Sequence, residues 1–355
     1  MILTAIWSQG SLAHDPGREV WIGIPIEGDE TPARGNAMKA GIDAAGLRVA
    51  SPGQHPDGPI LAVHDSGMLA YLKTAYADWV AAGYPEEHGQ DRVVAYAFRH
   101  PGAFDHAGKF EPRSRAARAG NYCFDTCTTI GPGTYRGIRY AVDASLTAAD
   151  LVLSGSGNAY AAVRPPGHHA GTDYFGGSCY LNNAAITAQY LIDNGATRVG
   201  IIDIDAHHGN GTQQVFYERS DVVYASVHID PGEGWFPHWS GFGDETGSGG
   251  GAGFNMNVPL ASRSGDEEFV SAVERSAEFV GEKGCDSLVV SLGVDAGVED
   301  ENSPLDVTAD GFGLAGVILA QLELPTVLVQ EGGYHLPSLE RDLTAILSRF
   351  SSTGR

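Results

Sequence analysis

The chain is poor in basic residues, poor in cysteine, and lacks any long apolar run. Lysine and arginine total 22 against 44 aspartates and glutamates, for a formal net charge of −22. Nucleic-acid binding needs clustered positive charge that displaces counterions, so no nucleic-acid partner is expected. The acidity serves solubility and is also compatible with a cationic substrate. Only four cysteines occur, Cys123, Cys127, Cys179 and Cys285, and no two form a metal-type CxxC pair. They read as reduced thiols of a cytoplasmic protein. No apolar stretch approaches the ~20 residues of a membrane span. The opening residues MILTAIWSQG carry no basic leader, so neither a membrane nor a secretory address is expected. Glycine, in contrast, is plentiful at 48 of 355 residues, with runs such as 247–253, which suits a fold whose function sits on loops.

Short apolar strands alternate with amphipathic helices along most of the chain. Strands are expected at 1–7, 159–163, 199–205, 222–227, 254–258, 287–292 and 326–330. Helices are expected at about 31–45, with Thr31 as N-cap and Pro32 at the first turn, and at 65–82, 132–150, 182–194, 266–283, 308–322 and 337–350. Segment 8–29 has mixed Gly and Pro without a period and reads as a loop, and 83–119 as a long polar insertion. The alternation predicts one α/β domain over residues 1–355, an open, mostly parallel β-sheet flanked by helices. Ligands of such sheets sit outside the carboxyl ends of the strands.

The densest chemistry follows one of these strand ends, in RVGIIDIDAHHGNGTQ from Arg198 to Gln213. Strand alternation points Asp203, Asp205 and His207 to one side and His208 to the other. A lone Asp at a strand end often only caps the next helix, but two Asp and two His this close suggest a grip on a divalent ion. With Asp295, which ends another strand, Asp205 and His207 make two carboxylates and an imidazole. That is an open catalytic donor set, suited to Zn2+, with Fe2+ or Co2+ nearly as apt. His168 and His169 follow Pro-Pro-Gly at a third strand end and could act as proton-transfer groups, unless they are simply solvated loop histidines. Tyr334, after Gly332-Gly333, could donate to a developing oxyanion, although a lone Tyr more often packs. Arg34 alone would be a solvated helix charge.

Five ordered strings carry a resemblance: RPPGHHAG (Arg164–Gly171), GGSCYLNNAAI (Gly176–Ile186), IDIDAHHGNGTQ (Ile202–Gln213), SLGVDAG (Ser291–Gly297) and QEGGYH (Gln330–His335). Together they resemble the arginase/deacetylase superfamily, in particular its zinc-dependent histone deacetylases and their bacterial acetylpolyamine amidohydrolase branch. GNYCFDTCTTIGPGTY (Gly120–Tyr135) resembles the same branch. The resemblance implies an active site at the strand ends and hydrolysis of an N-acyl amide on a small amine. By motif position it implies Asp205, His207 and Asp295 as zinc ligands, His169 as general base and acid, and His168 as its electrostatic neighbour. Tyr334 matches the oxyanion donor. Asp203 matches the partner of His168 and, with Asp205, His207, Ser226 and Val227, a potassium site. Phe236 matches an aromatic tunnel wall, with Gly177 and Ser178 on the substrate side, and Arg34 the foot of the pocket.

Three departures stand out. Ser178 replaces the aromatic residue that many relatives place opposite Phe236, which should widen the tunnel. Asn210 replaces an Asp that partners the second histidine in some relatives, which should lower the pKa of His169. Residues 115–118, Arg-Ala-Ala-Arg, are basic where polyamine-cleaving relatives carry a glutamate, which favours substrates neutral or acidic at the far end. The 83–119 insertion resembles one that forms a homodimer and narrows the active-site mouth. Protein lysine deacetylation is the alternative on the same chemistry. A silent binder of acylated amines is disfavoured by the intact residue set, and a ureohydrolase by the want of a second set of carboxylate ligands.

Overall fold

The computed structural model describes residues 2–100 and 112–353. Its ten strands are β1 (Leu3–Ile6), β2 (Arg18–Trp21), β3 (Ile24–Glu27), β4 (Arg48–Ala50), β5 (Asn158–Ala161), β6 (Val199–Asp203), β7 (Val222–Ile229), β8 (Asn255–Leu260), β9 (Ser287–Leu292) and β10 (Thr326–Gln330). Eight of them form one sheet in the order β4-β1-β5-β10-β9-β6-β7-β8, and every pairing in it is parallel.

Strand alternation divides the core. Val199, Ile201, Val289, Val327 and Val329 face one apolar layer, which they share with helices Ser66–Ala81, Thr134–Leu153 and Asn183–Asp193. Ile202, Leu288, Val290 and Leu328 face the other, under helices Pro32–Ala44, Asp266–Glu282, Ala309–Gln321 and Leu336–Thr353. A strand covered on both faces must be apolar on both, which is why β6, β9 and β10 read as continuous hydrophobic runs. The expected helices form with ends within a few residues of those predicted. Asp65 and Asn182 cap theirs by accepting backbone N–H groups, while Thr31 flanks its helix without a side-chain cap bond. All four cysteines are free. Among the described residues, no helix is long and apolar enough to cross a membrane.

Two elements depart from expectation. Segment 8–29 is not all loop, because β2 and β3 pair antiparallel around an Ile22-Gly23 turn. Four-residue strands without a buried run give little periodic signal. The hairpin is held from outside itself, by Val20 N–H to Thr126 O (3.2 Å) and Thr126 Oγ1 to Val20 O (2.5 Å). The edge strand β4 is only three residues long and mostly exposed, so it too lacked a pattern to read. The insertion contributes helices Tyr84–His88 and Arg115–Ala119, and its part at 101–111 lies outside the described residues.

The hairpin buries Glu19, which is 8% exposed. Burial, with Asp29, Asp125 and Glu30 nearby, pushes its carboxyl up to about 8. The folded state therefore holds this proton more tightly than the unfolded chain does. Glu19 imposes no penalty below the unfolded pKa near 4.5; the penalty grows between there and about pH 8 and is complete above it. Glu19→Gln should raise the thermal midpoint at pH 9, by roughly 1–3 kcal/mol in stability, and leave it unchanged at pH 4. Melting curves of both proteins at the two pH values check this.

Candidate active site

The carboxyl ends of β5, β10, β9, β6 and β7, consecutive in the sheet, supply the segments that carry the candidate residues. Asp203 ends β6, and Asp205 and His207 follow it before helix Asn210–Phe216. The β6–β9 register, Asp203 against Ser291, brings Asp295 alongside. His207 Nδ1 lies 3.0 Å from Asp295 Oδ2 and 3.3 Å from Asp205 Oδ1. The ligand atoms of these three residues fall within 4.8 Å of one another. Asp203 turns from this trio to His168, with Oδ2 3.1 Å from Nδ1. His208 points elsewhere, buried between Gln213 Oε1 (3.2 Å) and Ser240 Oγ (3.0 Å).

The electrostatics separate the two adjacent histidines. Burial opposes charge on His168, but Asp205 and Asp203 outweigh it and push its pKa up to about 10. His169 lies well below the usual imidazole range because it is buried and faces charged His168 and His207. Its Nδ1 sits 2.8 Å from Asn210 Oδ1. An amide oxygen only accepts, so Nδ1 carries the hydrogen and Nε2 keeps a free lone pair. Burial and the neighbouring Asp205 push Asp295 up to about 6. Asp205 stays below the usual carboxylate range despite its burial, held there by His168 and His207. Two buried carboxylates this close, one of them resisting ionisation, are short of positive charge. The trio therefore fits a divalent cation, and three protein donors fall short of a closed four-ligand set.

Glycine permits the close approach. A side chain at Gly332 would clash with Asp295 and Asp205. Gly332 instead donates its N–H to Asp205 Oδ2 (2.7 Å), and Ala206 donates to Asp295 Oδ1 (2.9 Å). Three further carboxylates, not singled out from sequence, hold the rim loops by their backbone amides. Glu331 accepts from Gly167 (2.7 Å) and His168 (3.2 Å). Asp300 accepts from Tyr334 (2.6 Å) and His335 (3.1 Å). Asp125 accepts from Gly177 (2.5 Å), Cys127 (3.0 Å) and Thr128 (2.8 Å). Glu331 lies inside a quoted motif, so it was within reach of the sequence. Asp125 also lies inside a quoted string, but its bond to Gly177 spans 52 residues, and Asp300 acts on residues 34 and 35 positions on. His168, Cys179 and Glu331 form a second buried donor trio, but His168 is committed to Asp203 and Glu331 to the two amides.

The remaining predicted residues join the same site. Tyr334 is half-buried, and its phenol is pushed well above its usual value by burial, with Arg34 pulling the other way. Arg34 is not a solvated charge. It is fully buried, donates to Gly333 O (2.5 Å), Glu331 O (2.7 Å) and Glu30 Oε1 (2.5 Å), and lies 4.6 Å from the Tyr334 ring centroid. Its two carbonyl partners lie almost 300 residues away, so only the resemblance could point to this position. Phe236 meets His169 edge-on at 4.7 Å, and a side chain at Gly177 would strike both rings. Ser178 adopts φ 62°, held by its N–H to Thr128 Oγ1 (2.8 Å). Ser226 pairs in register with Asp203, and its Oγ lies 2.7 Å from His228 Nδ1. The basic segment is engaged elsewhere, since Arg115 and Arg118 both reach Asp78, at 3.4 and 3.5 Å.

The chain is similar to known proteins along nearly its whole length. It is 40% identical over 323 residues to acetylpolyamine amidohydrolase of Burkholderia pseudomallei (strain 1710b), covering 91% of each chain. It is 36% identical over 346 residues to acetylpolyamine amidohydrolase of Mycoplana ramosa, covering 97% of this chain and 98% of that one. The crystal structure of acetylpolyamine aminohydrolase from Burkholderia pseudomallei superposes with a TM-score of 0.91 at 37% identity, covering 99% of both chains. The HDA15 HD domain superposes with a TM-score of 0.80 at 26% identity, over 99% of this chain and 90% of the other. Residues 29–350 match the histone deacetylase domain family. On this match and these identities, the chain belongs to the histone deacetylase domain family and is a hydrolase of that family's deacetylase type.

Proposed function

We propose that the protein is a zinc-dependent amidohydrolase that deacylates a small N-acetylated or N-acylated amine, such as an acetylpolyamine or an acetyl-lysine-like compound. The observation that carries this reading is the trio Asp205, His207 and Asp295 beside a neutral His169 whose Nδ1 is fixed by Asn210. The relatives named for acetylpolyamines support the substrate class. Zn2+ suits the mixed donors, with Fe2+ or Co2+ as alternatives. Held there, the ion would polarise the amide carbonyl and acidify a bound water.

The chain's own groups do the rest. His169 Nε2 takes the proton of the attacking water and later returns it to the leaving amine. His168 stays charged beside Asp203 and Asp205, which favours the developing negative charge and keeps His169 neutral before attack. Tyr334 donates its hydroxyl hydrogen to the oxyanion, and a buried phenol that keeps its proton is suited to this. Arg34 lies below Tyr334, where a released acid anion would meet positive charge. Asp203 and Ser226, neighbours across β6 and β7, support a structural potassium site with Asp205, His207 and Val227. The insertion exposes Tyr96 (70%) and Phe98 (42%), which supports burial against a second copy in a homodimer.

A hydrolysis screen with defined metal over acetylated polyamines, acetyl-lysine peptides and longer acyl amines tests the reading. Faster cleavage of long peptides would move the assignment to a lysine deacetylase. Tyr334→Phe should retain fold and bound metal while kcat falls ~10²- to 10³-fold, as for loss of an oxyanion donor. Turnover near that of the parent would remove Tyr334 from its role. Asn210→Asp should raise the pKa of His169, because a carboxylate favours the imidazolium. Since the base must start neutral, the acidic limb of kcat/KM should move to higher pH, and a pH–rate profile reads the direction directly.

A further inference from the structure

Ser178 leaves no aromatic ring opposite Phe236, yet Phe236 does not stand alone. Phe124 lies parallel to it, with centroids 5.9 Å apart and an interplanar angle of 14°. Phe124 also meets Tyr174 edge-on at 5.7 Å and is half-buried. Gly176 and Gly177 pack directly against the two rings. A side chain at Gly176 would enter the Phe124 ring, and one at Gly177 would enter Phe236 and His169. The turn cannot drift from the rings, because Asp125 and Thr128 on the Phe124 segment hold the N–H groups of Gly177 and Ser178. One short segment thus supplies both an aromatic surface and the clamp on the backbone packed against it.

We propose that Phe124 is the second aromatic wall of the substrate channel and a determinant of chain-length specificity. It replaces the ring lost at position 178 with one placed beside Phe236 rather than across from it. This inference rests on the amidohydrolase reading above. The glycine turn backs the paired rings, and because both stay half-buried their exposed sides form one long apolar face along which a linear methylene chain can lie. A short substrate meets only Phe236, next to His169. A longer one reaches Phe124 and gains contact there.

The test is a series of mono-N-acetylated linear diamines of increasing length, assayed with the parent enzyme, Phe124→Ala and Phe124→Leu. KM for the longest member should rise about 3- to 10-fold in Phe124→Ala, with kcat retained and the shortest member unaffected. Phe124→Leu should fall between, and thermal melting confirms that each variant is folded. An equal loss at every length would make Phe124 only a support for Phe236, and no loss at any length would remove it from the channel. If the parent hydrolyses none of the series, the amidohydrolase reading fails by itself. Calorimetric affinities of the free diamines for the same proteins then still decide whether Phe124 contributes in proportion to chain length.

Discussion

The structure depends on negative charge buried at the carboxyl ends of β6, β9 and β10. Asp203, Asp205, Asp295 and Glu331 are all fully buried there or nearly so. Uncompensated, a cluster of this kind would cost far more than a domain's whole stability. The internal cations cover only part of it. His168 is held protonated between Asp203 and Asp205. Arg34 serves Glu30 and two backbone carbonyls, and Arg164 also pairs with Glu30. The deficit shows in the raised proton affinities of Asp295 and Glu331. A divalent ion in the trio would remove it, and the deficit itself arises from how the strands converge.

That constraint explains how the rim loops are built. Loops have no ladder of hydrogen bonds to fix them, and a catalytic group must be held to a fraction of an ångström. Here buried carboxylates that are not in the metal trio accept backbone amides from the segments carrying function. Glu331 fixes the turn before His169, Asp300 fixes Tyr334, and Asp125 fixes Gly177. Charge-assisted bonds of this type are the stronger kind. Buried carboxylates thus do two jobs at the rim, some forming the candidate metal trio and others tethering the loops around it.

The parts legible in the sequence were those that depend on neighbours within a few residues. The doubly covered strands β6, β9 and β10 announced themselves as apolar runs, and alternation along 203–207 pointed Asp205 and His207 to one side. The hairpin β2–β3 was missed because its support, Thr126, lies a hundred residues on. Arg34 read as a surface charge because nothing nearby in sequence shows that Gly333 and Glu331 will close over it. Phe124 was unreadable for a related reason. Its ring comes to lie beside Phe236 only through tertiary contacts, among them the Thr128–Ser178 bond that spans 50 residues.

The basic segment at 115–118 shows most clearly how packing changes a sequence inference. Read alone, its arginines would repel a cationic substrate tail. In the fold both guanidiniums lie against Asp78 on helix Ser66–Ala81, and Arg118 also lies 5.9 Å from the Tyr71 ring centroid. One carboxylate shared by two guanidiniums offsets half of their charge, and salt screens the remainder. What remains at long range is the surplus of acidic residues, which draws cations inward. The reason to prefer a neutral or acidic substrate is thereby weakened.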